Sequence, residues 1–282
     1  MTPSAELPLP GALAAMARPI AEDAGELLQR GRDTATVVRT KSSRTDIVTG
    51  MDRAAEDLIR RRILEIRPGD DILAEEGGQI GTGSPVRWIV DPLDGTVNYI
   101  YGLPDWSVSI AVEVEGTVVA GVVCAPLRRA TYIATLGGGA WLHSGWLPGA
   151  QRLSCSKVKD LADTLVATGF NYLAEKRAIQ GAVVGRLLPQ VRDIRRNGSA
   201  ALDLCSVAAG LVDAYYESGL HAWDLAAGGL IAREAGARVT GLHGAEAGEA
   251  MTLAAGPAVF GPLHDLLASL VADAERTAGA GD

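Results

Sequence analysis

The run Trp88-Ile89-Val90-Asp91-Pro92-Leu93-Asp94-Gly95-Thr96-Val97-Asn98-Tyr99 constrains this chain most, because an apolar stretch ends there in two carboxylates and a glycine turn. Val86 to Val90 is short, β-branched and aromatic, the pattern of a buried strand. Pro92 withdraws a backbone donor, so the strand is expected to stop at Asp91. Asp91 and Asp94 are three apart across a tight turn, close enough for both side chains to face one point. Gly95 lets the backbone approach whatever sits there. Thr96 reads as a first-turn residue of a following helix, whose free N–H groups attract anions such as phosphate. Two acids and an anion site within one turn suggest a divalent cation bridging protein to phosphate. A purely structural turn is the competing reading, since Asp-Gly and Asp-Pro are common turn signals.

Other side chains narrow the chemistry. Cys124, Cys155 and Cys205 are far apart and match no metal-binding spacing, and His143, His221, His243 and His264 show no i,i+4 pairing. A zinc site is therefore not expected, and any metal must rely on oxygen ligands. The formal charge of −8 argues against nucleic acid as a partner. No apolar run approaches the roughly 18 to 20 residues of a membrane helix. The first residues carry neither a basic nor an apolar signal region, so a cytoplasmic protein without a membrane partner is expected.

Along the 282 residues the texture changes once, and a single domain spanning 1–282 is expected to have two lobes. The first, about 9–150, reads as α+β. Apolar residues at Leu13, Ala17, Ile20, Ala24, Leu27 and Leu28 repeat at a helical period, with Pro19 as a kink. Thr34 to Thr40 reads as a strand and Lys41-Ser42-Ser43-Arg44 as a polar turn. Ala55, Leu58, Ile59, Ile63 and Ile66 form the stripe of a second helix, ended by Pro68-Gly69. Asp52 in its first turn is ordinary dipole compensation on spacing alone. Asp71 to Gly78 ends in two acids and two glycines. Trp106 to Val114 and Thr117 to Cys124 flank Glu115-Gly116 as a hairpin, opening an antiparallel meander.

The second lobe, about 151–275, alternates strands and helices. Strands are expected at 165–168, 193–195, 213–217, 237–240 and 251–255. Helices are expected from Ala174 to Leu188, after Ser199 as N-cap, from His221 to Ala235, and from Pro262 to Ala274. Asp224 repeats the placement of Asp91, an acid where a strand gives way to a helix. Should Asp224 and Glu75 converge with Asp91 and Asp94, each pair of unscreened charges ~4 Å apart would repel by about 4 kcal/mol at an effective dielectric near 20. Cations must then fill the gap, and all-oxygen ligands with room for water point to Mg2+.

Glu75-Glu76, Asp91-Pro92-Leu93-Asp94-Gly95-Thr96 and His221-Ala222-Trp223-Asp224, in this order, closely resemble the inositol monophosphatase family, over a span from about Ala21 to the last helix. The resemblance implies an α+β fold, a layered αβαβα sandwich of the sugar-phosphatase type. It also implies a homodimer that hydrolyses phosphate monoesters with two or three Mg2+ per site and is inhibited by Li+. Glu75, Asp91 and the Leu93 carbonyl resemble ligands of a first metal; Asp91, Asp94 and Asp224 resemble those of a second, and Glu75 supports a third. Asp52 and Thr96 resemble the pair that orients the attacking water, with Glu75 also counted as catalytic. Gly95 and Thr96 would hold the phosphate. Gly198, Ser199, Ala200, Glu217 and Asp224 resemble positions near the inositol hydroxyls, and Lys41 belongs to the family's flap. A carboxylate such as Glu217 can accept two hydroxyl bonds from a polyol.

Departures are mild: Ala74-Glu75-Glu76-Gly77 replaces the usual Gly-Glu-Glu-Ser, and Val97 and Tyr99 occupy variable places. The expected reaction is inositol-1-phosphate hydrolysis by metal-activated water. Histidinol phosphate, fructose 1,6-bisphosphate and 3′-phosphoadenosine 5′-phosphate are alternative substrates. A non-catalytic partner of the transcription machinery is the alternative of a different class.

Overall fold

The computed structural model describes residues 7–32, 37–40, 47–81 and 83–279. Among these, the chain begins with α1 (Pro10–Gly31), a short hairpin of β1 (Val37–Thr40) and β2 (Ile47–Thr49), and α2 (Gly50–Ile66). Then come β3 (Asp71–Ala74), β4 (Gly78–Ile80), β5 (Val86–Asp94), α3 (Thr96–Tyr101), β6 (Ser107–Val114), β7 (Thr117–Ala125), β8 (Ala130–Thr135), β9 (Gly139–Ser144) and β10 (Ala150–Arg152). The remainder is β11 (Leu165–Thr168), α4 (Ala174–Leu187), β12 (Asp193–Arg195), α5 (Ala200–Ala208), β13 (Ala214–Glu217), α6 (Ala222–Glu234), β14 (Arg238–Thr240), β15 (Thr252–Ala255) and α7 (Pro257–Gly279).

Eight strands form one sheet in the order β10-β9-β8-β7-β6-β5-β3-β4, antiparallel except for β3 beside β5. Five form a second, β12-β11-β13-β15-β14, in which β12, β11 and β13 run parallel. The period of two along the strands sorts their side chains into layers. On β5 and β6, Trp88, Val90, Val108, Ile110 and Val112 pack against α1 and α2, while Ile89 and Ala111 face α5 and α6. On the second sheet Ala167, Tyr215 and Ala254 face α5 and α6; Val166, Tyr216 and Leu253 face α4 and α7. The result is five layers, αβαβα, with α5 and α6 between the sheets.

The middle layer is largely apolar, as a doubly covered helix tends to be, with Asp203 and Ser206 its buried polar residues in α5. Every residue of α5 is buried. α6 lies directly on β7: a Cβ added at Gly121 would sit 2.9 Å from the Ala227 carbonyl oxygen and 3.0 Å from its Cα. At the β6–β7 turn, Glu115 and Gly116 take φ of 50° and 80°, the left-handed pair that a two-residue hairpin requires.

Three expectations are corrected, and two short strands are added. β5 does not stop at Asp91 but runs to Asp94, pairing Asp91 with Ser109 and Asp94 with Ser107 across a register shift. The bulge absorbs Pro92 where no ladder donor is needed. α7 starts at Pro257 rather than Pro262: Pro257 suits the first turn, and Pro262 lies inside the helix, where it forgoes one backbone hydrogen bond. Ile66 is 47% exposed and leaves the α2 stripe. β4 and β10, three residues each, carry too little pattern to be anticipated. The Lys41 turn and residues 34–36 of the expected strand fall outside the described residues.

Candidate active site

The acids meet where strand ends and helix starts from several layers converge. One carboxylate oxygen each from Asp91, Asp94 and Asp224 lie within 4.8 Å of one another. They line a cavity of about 350 Å³ together with Glu75, Leu93, Gly95, Thr96, Gly198, Ala200 and Glu217. Glu75 follows β3 directly, and its N–H is held by the Val90 carbonyl at 3.3 Å, which ties it to the strand that carries Asp91. Asp91 turns back on the bulge and accepts from the Leu93 N–H at 3.0 Å. Asp224 sits in the first turn of α6, where it accepts from the His221 N–H at 2.6 Å.

Asp94 is held most firmly. Ser199, the N-cap of α5, donates its Oγ to Asp94 Oδ2 at 2.5 Å, and the Ala201 and Ala200 N–H groups reach Asp94 at 2.8 and 3.3 Å. These bonds and the Arg196 charge oppose burial, which still pushes the Asp94 carboxyl up to about 6. Asp91 and Asp224 are raised well above the usual carboxylate range, first by burial and then by neighbouring carboxylates, Glu75 and Asp94 among them. The largest charge effects on both are negative. A desolvated set of oxygen donors of this kind is stable with a divalent cation among them.

Asp52 arrives from α2 with two duties. Its Oδ2 accepts from the Thr49 N–H and hydroxyl at 2.9 and 2.5 Å, closing a capping box, and its Oδ1 faces the Thr96 hydroxyl at 3.1 Å. Burial raises its pKa against those bonds. The Thr96 hydroxyl lies equally 3.1 Å from the Leu93 carbonyl. Gly95 has φ of 94°, and a Cβ there would meet the Asp105 carbonyl at 2.9 Å and the Gly198 carbonyl at 3.2 Å. Only glycine passes this crossing.

Glu217 ends β13 over the cavity, accepts from the Tyr215 hydroxyl at 2.7 Å and is pushed up to about 7 by burial. Its carboxylate occupies the place of a missing side chain: a Cβ at Gly169 would be 1.9 Å from Glu217 Oε2. Gly198 and Ala200 line the cavity, whereas Ser199 is 1% exposed and lies behind it, engaged with Asp94.

Two contributors escape a sequence reading, and a third stands there only as an even choice. Arg196 lines the cavity, though its basic pair with Arg195 reads equally as a strand end. Gly169 bears no motif. Asp203, 1% exposed beneath the site and bonded by Asn197 Nδ2 at 2.5 Å, is pushed up to about 8 by burial. Its one signal is an acid inside the otherwise apolar run Ala-Ala-Leu-Asp-Leu-Cys.

A family model described as the inositol monophosphatase family matches residues 11–276. The chain is 47% identical over 250 residues to the inositol-1-monophosphatase SuhB of Mycobacterium tuberculosis (strain ATCC 25618 / H37Rv), covering 86% of this chain and 84% of the relative. It is 42% identical over 227 residues to the Nus factor SuhB of Escherichia coli (strain K12), covering 79% and 83%. The solved structure of Mycobacterium tuberculosis SuhB superposes with a TM-score of 0.81 at 41% identity, over 93% of this chain and 98% of that one. The chain belongs to the inositol monophosphatase family and is a phosphomonoesterase of that family's kind.

Proposed function

We propose that the protein hydrolyses inositol-1-phosphate to inositol and phosphate with the aid of Mg2+. The observation that carries this reading is the meeting of Asp91, Asp94 and Asp224 within 4.8 Å in a cavity that also holds Glu75. The donor set fits Mg2+: Glu75, Asp91 and the Leu93 carbonyl would hold one ion, and Asp91, Asp94 and Asp224 a second, with Glu75 open to a third. Bound there, the ions supply charge neutralisation at the phosphoryl group and a lowered pKa for the attacking water.

The chain's own groups do the positioning. When the Thr96 hydroxyl donates to Asp52 Oδ1, a lone pair on its oxygen is left to accept a hydrogen bond from water, and as the water proton moves to Thr96 the threonine's own proton passes to the ionised Asp52 carboxylate. Gly95 and Thr96 receive the phosphate at the cavity floor. Glu217, with Gly198 and Ala200, faces the alcohol. Ser199 acts by fixing Asp94 rather than by touching substrate.

Histidinol phosphate, fructose 1,6-bisphosphate and 3′-phosphoadenosine 5′-phosphate would use the same acids, so a panel of these esters decides among them. The test is phosphate release from each ester with Mg2+, with a chelator and with added Li+. Inositol-1-phosphate is expected to be turned over best, with activity lost on chelation and reduced by Li+. Full activity after chelation sinks the proposal. The relative named as a Nus factor favours a second reading, a non-catalytic partner of the transcription machinery. The complete set of acids weighs against it, and capture of RNA polymerase by an inactive Asp94→Asn variant would support it.

A further inference from the structure

A second cavity, of about 490 Å³, lies beside the first at the C-terminal ends of β11 and β13, between α4 and α7. The two share a rim at Gly169, Lys176, Glu217 and Glu249. Their characters differ. The first is walled by carboxylates, whereas the second is floored by Ile179 and Val183 of α4, Met251 before β15 and Val271 of α7. Tyr216 also lines it, with a side chain that is only 5% exposed.

The partition between the cavities is thin, because Gly169 contributes no side chain and the Glu217 carboxylate lies against it. Gln180 closes the roof, accepting from the Asn171 N–H at 2.8 Å and donating to Ser218 Oγ at 3.0 Å. Around the opening stand Glu217, Glu249 and Glu275 against Lys176 alone, which disfavours an acidic occupant. A bare polyol has no use for four apolar walls. An alcohol with an apolar arm has.

We propose that the second cavity is a leaving-group subsite, which takes the uncharged apolar arm of a phosphate monoester whose phosphate sits among the acids of the first cavity. The inference rests on the phosphatase reading above and extends it from inositol to alcohols that bear an alkyl or aryl arm beyond the esterified carbon. Its size is that of an ordinary small-molecule site.

The experiment compares glycerol 2-phosphate with straight-chain alkyl phosphates of increasing length and 4-phenylbutyl phosphate, in the wild type and in Val183→Trp and Ile179→Trp. In the wild type kcat/KM is expected to rise with chain length, on the order of fourfold per methylene buried, until the cavity fills. Both variants should abolish that rise while leaving glycerol 2-phosphate turnover unchanged. Should Val183→Trp fail to fold, the half-buried Ile179 position carries the same test. A flat length series, or a rise that survives both variants, overturns the proposal. Calorimetric titration with 4-phenylbutanol, which lacks phosphate, separates the two readings. Binding lost in Ile179→Trp without turnover of any ester leaves the cavity assignment standing and sinks the phosphatase reading. Turnover of glycerol 2-phosphate without binding of the alcohol does the reverse.

Discussion

Ser199 Oγ donates to Asp94 Oδ2 at 2.5 Å, so a single hydroxyl caps α5 and holds one carboxylate of the acid cluster. Ser199→Ala should therefore act twice. Loss of the cap is expected to cost about 1 kcal/mol of stability. Release of Asp94 should weaken Mg2+ binding by roughly 10-fold or more, the usual penalty for removing the partner of a ligand. Thermal melting with chelator and calorimetric Mg2+ titration measure the two separately. Unchanged Mg2+ affinity would show that the hydroxyl serves the helix alone.

Asp224→Asn removes one negative charge from the cluster while an amide oxygen can still accept from the His221 N–H. Chelated protein should become more stable, by on the order of 1 kcal/mol, because like charges no longer face each other without a cation. The stabilisation that Mg2+ confers on the wild type should vanish together with turnover. Melting curves with and without Mg2+ check this, and a variant that Mg2+ still stabilises as strongly would remove Asp224 from the ligand set.

Asp203 predicts a pH dependence. Burial raises its carboxyl from 3.8 to about 8, so the folded chain binds this proton more tightly than the unfolded one. Its contribution is complete below the unfolded value and is lost as pH rises through the folded one. The melting temperature of chelated protein should fall between about pH 4 and pH 8. Asp203→Asn, which keeps an acceptor for Asn197, should make that slope shallower, the remainder coming from the raised carboxyls of Asp91, Asp94, Glu217 and Asp224. An equal slope in wild type and variant would assign the effect elsewhere.

Gly169→Ala places a methyl group where the Glu217 carboxylate lies, at 1.9 Å from Oε2. Glu217 must move. KM for inositol-1-phosphate is expected to rise about tenfold, one misplaced hydrogen-bonding group being worth roughly 1 to 2 kcal/mol, with kcat changed less. Steady-state kinetics provide the check; a fall in kcat at constant KM would mean that Glu217 acts on the reacting atoms rather than on the alcohol.

Local chemistry was well written in the chain. Ser199 as an N-cap, the Glu115-Gly116 hairpin and the glycine stop after α6, where Gly236 has φ of 94°, follow from φ preferences and orphan backbone groups. The αβαβα layering and the inclusion of Glu75, Asp91, Asp94 and Asp224 in one cavity also stood in the motifs. What no local pattern carries is depth and partnership. Asp203 and Asp52 look alike as first-turn acids, yet one faces Asn197 under the site and the other Thr96 beside it. The bulge at Pro92 depends on how β6 pairs, a relation between residues far apart in sequence.

The bare backbone at Gly121, where α6 touches β7, works as a caliper for the chemistry above it. One sheet delivers Asp91 and Asp94, whereas the helix resting on that sheet delivers Asp224, so the depth at which the helix packs on the sheet sets how far apart the charges stand. A methyl group at position 121 would widen the gauge without touching any acid, and the cluster would lose its grip on a small ion while every one of its members remained in the chain.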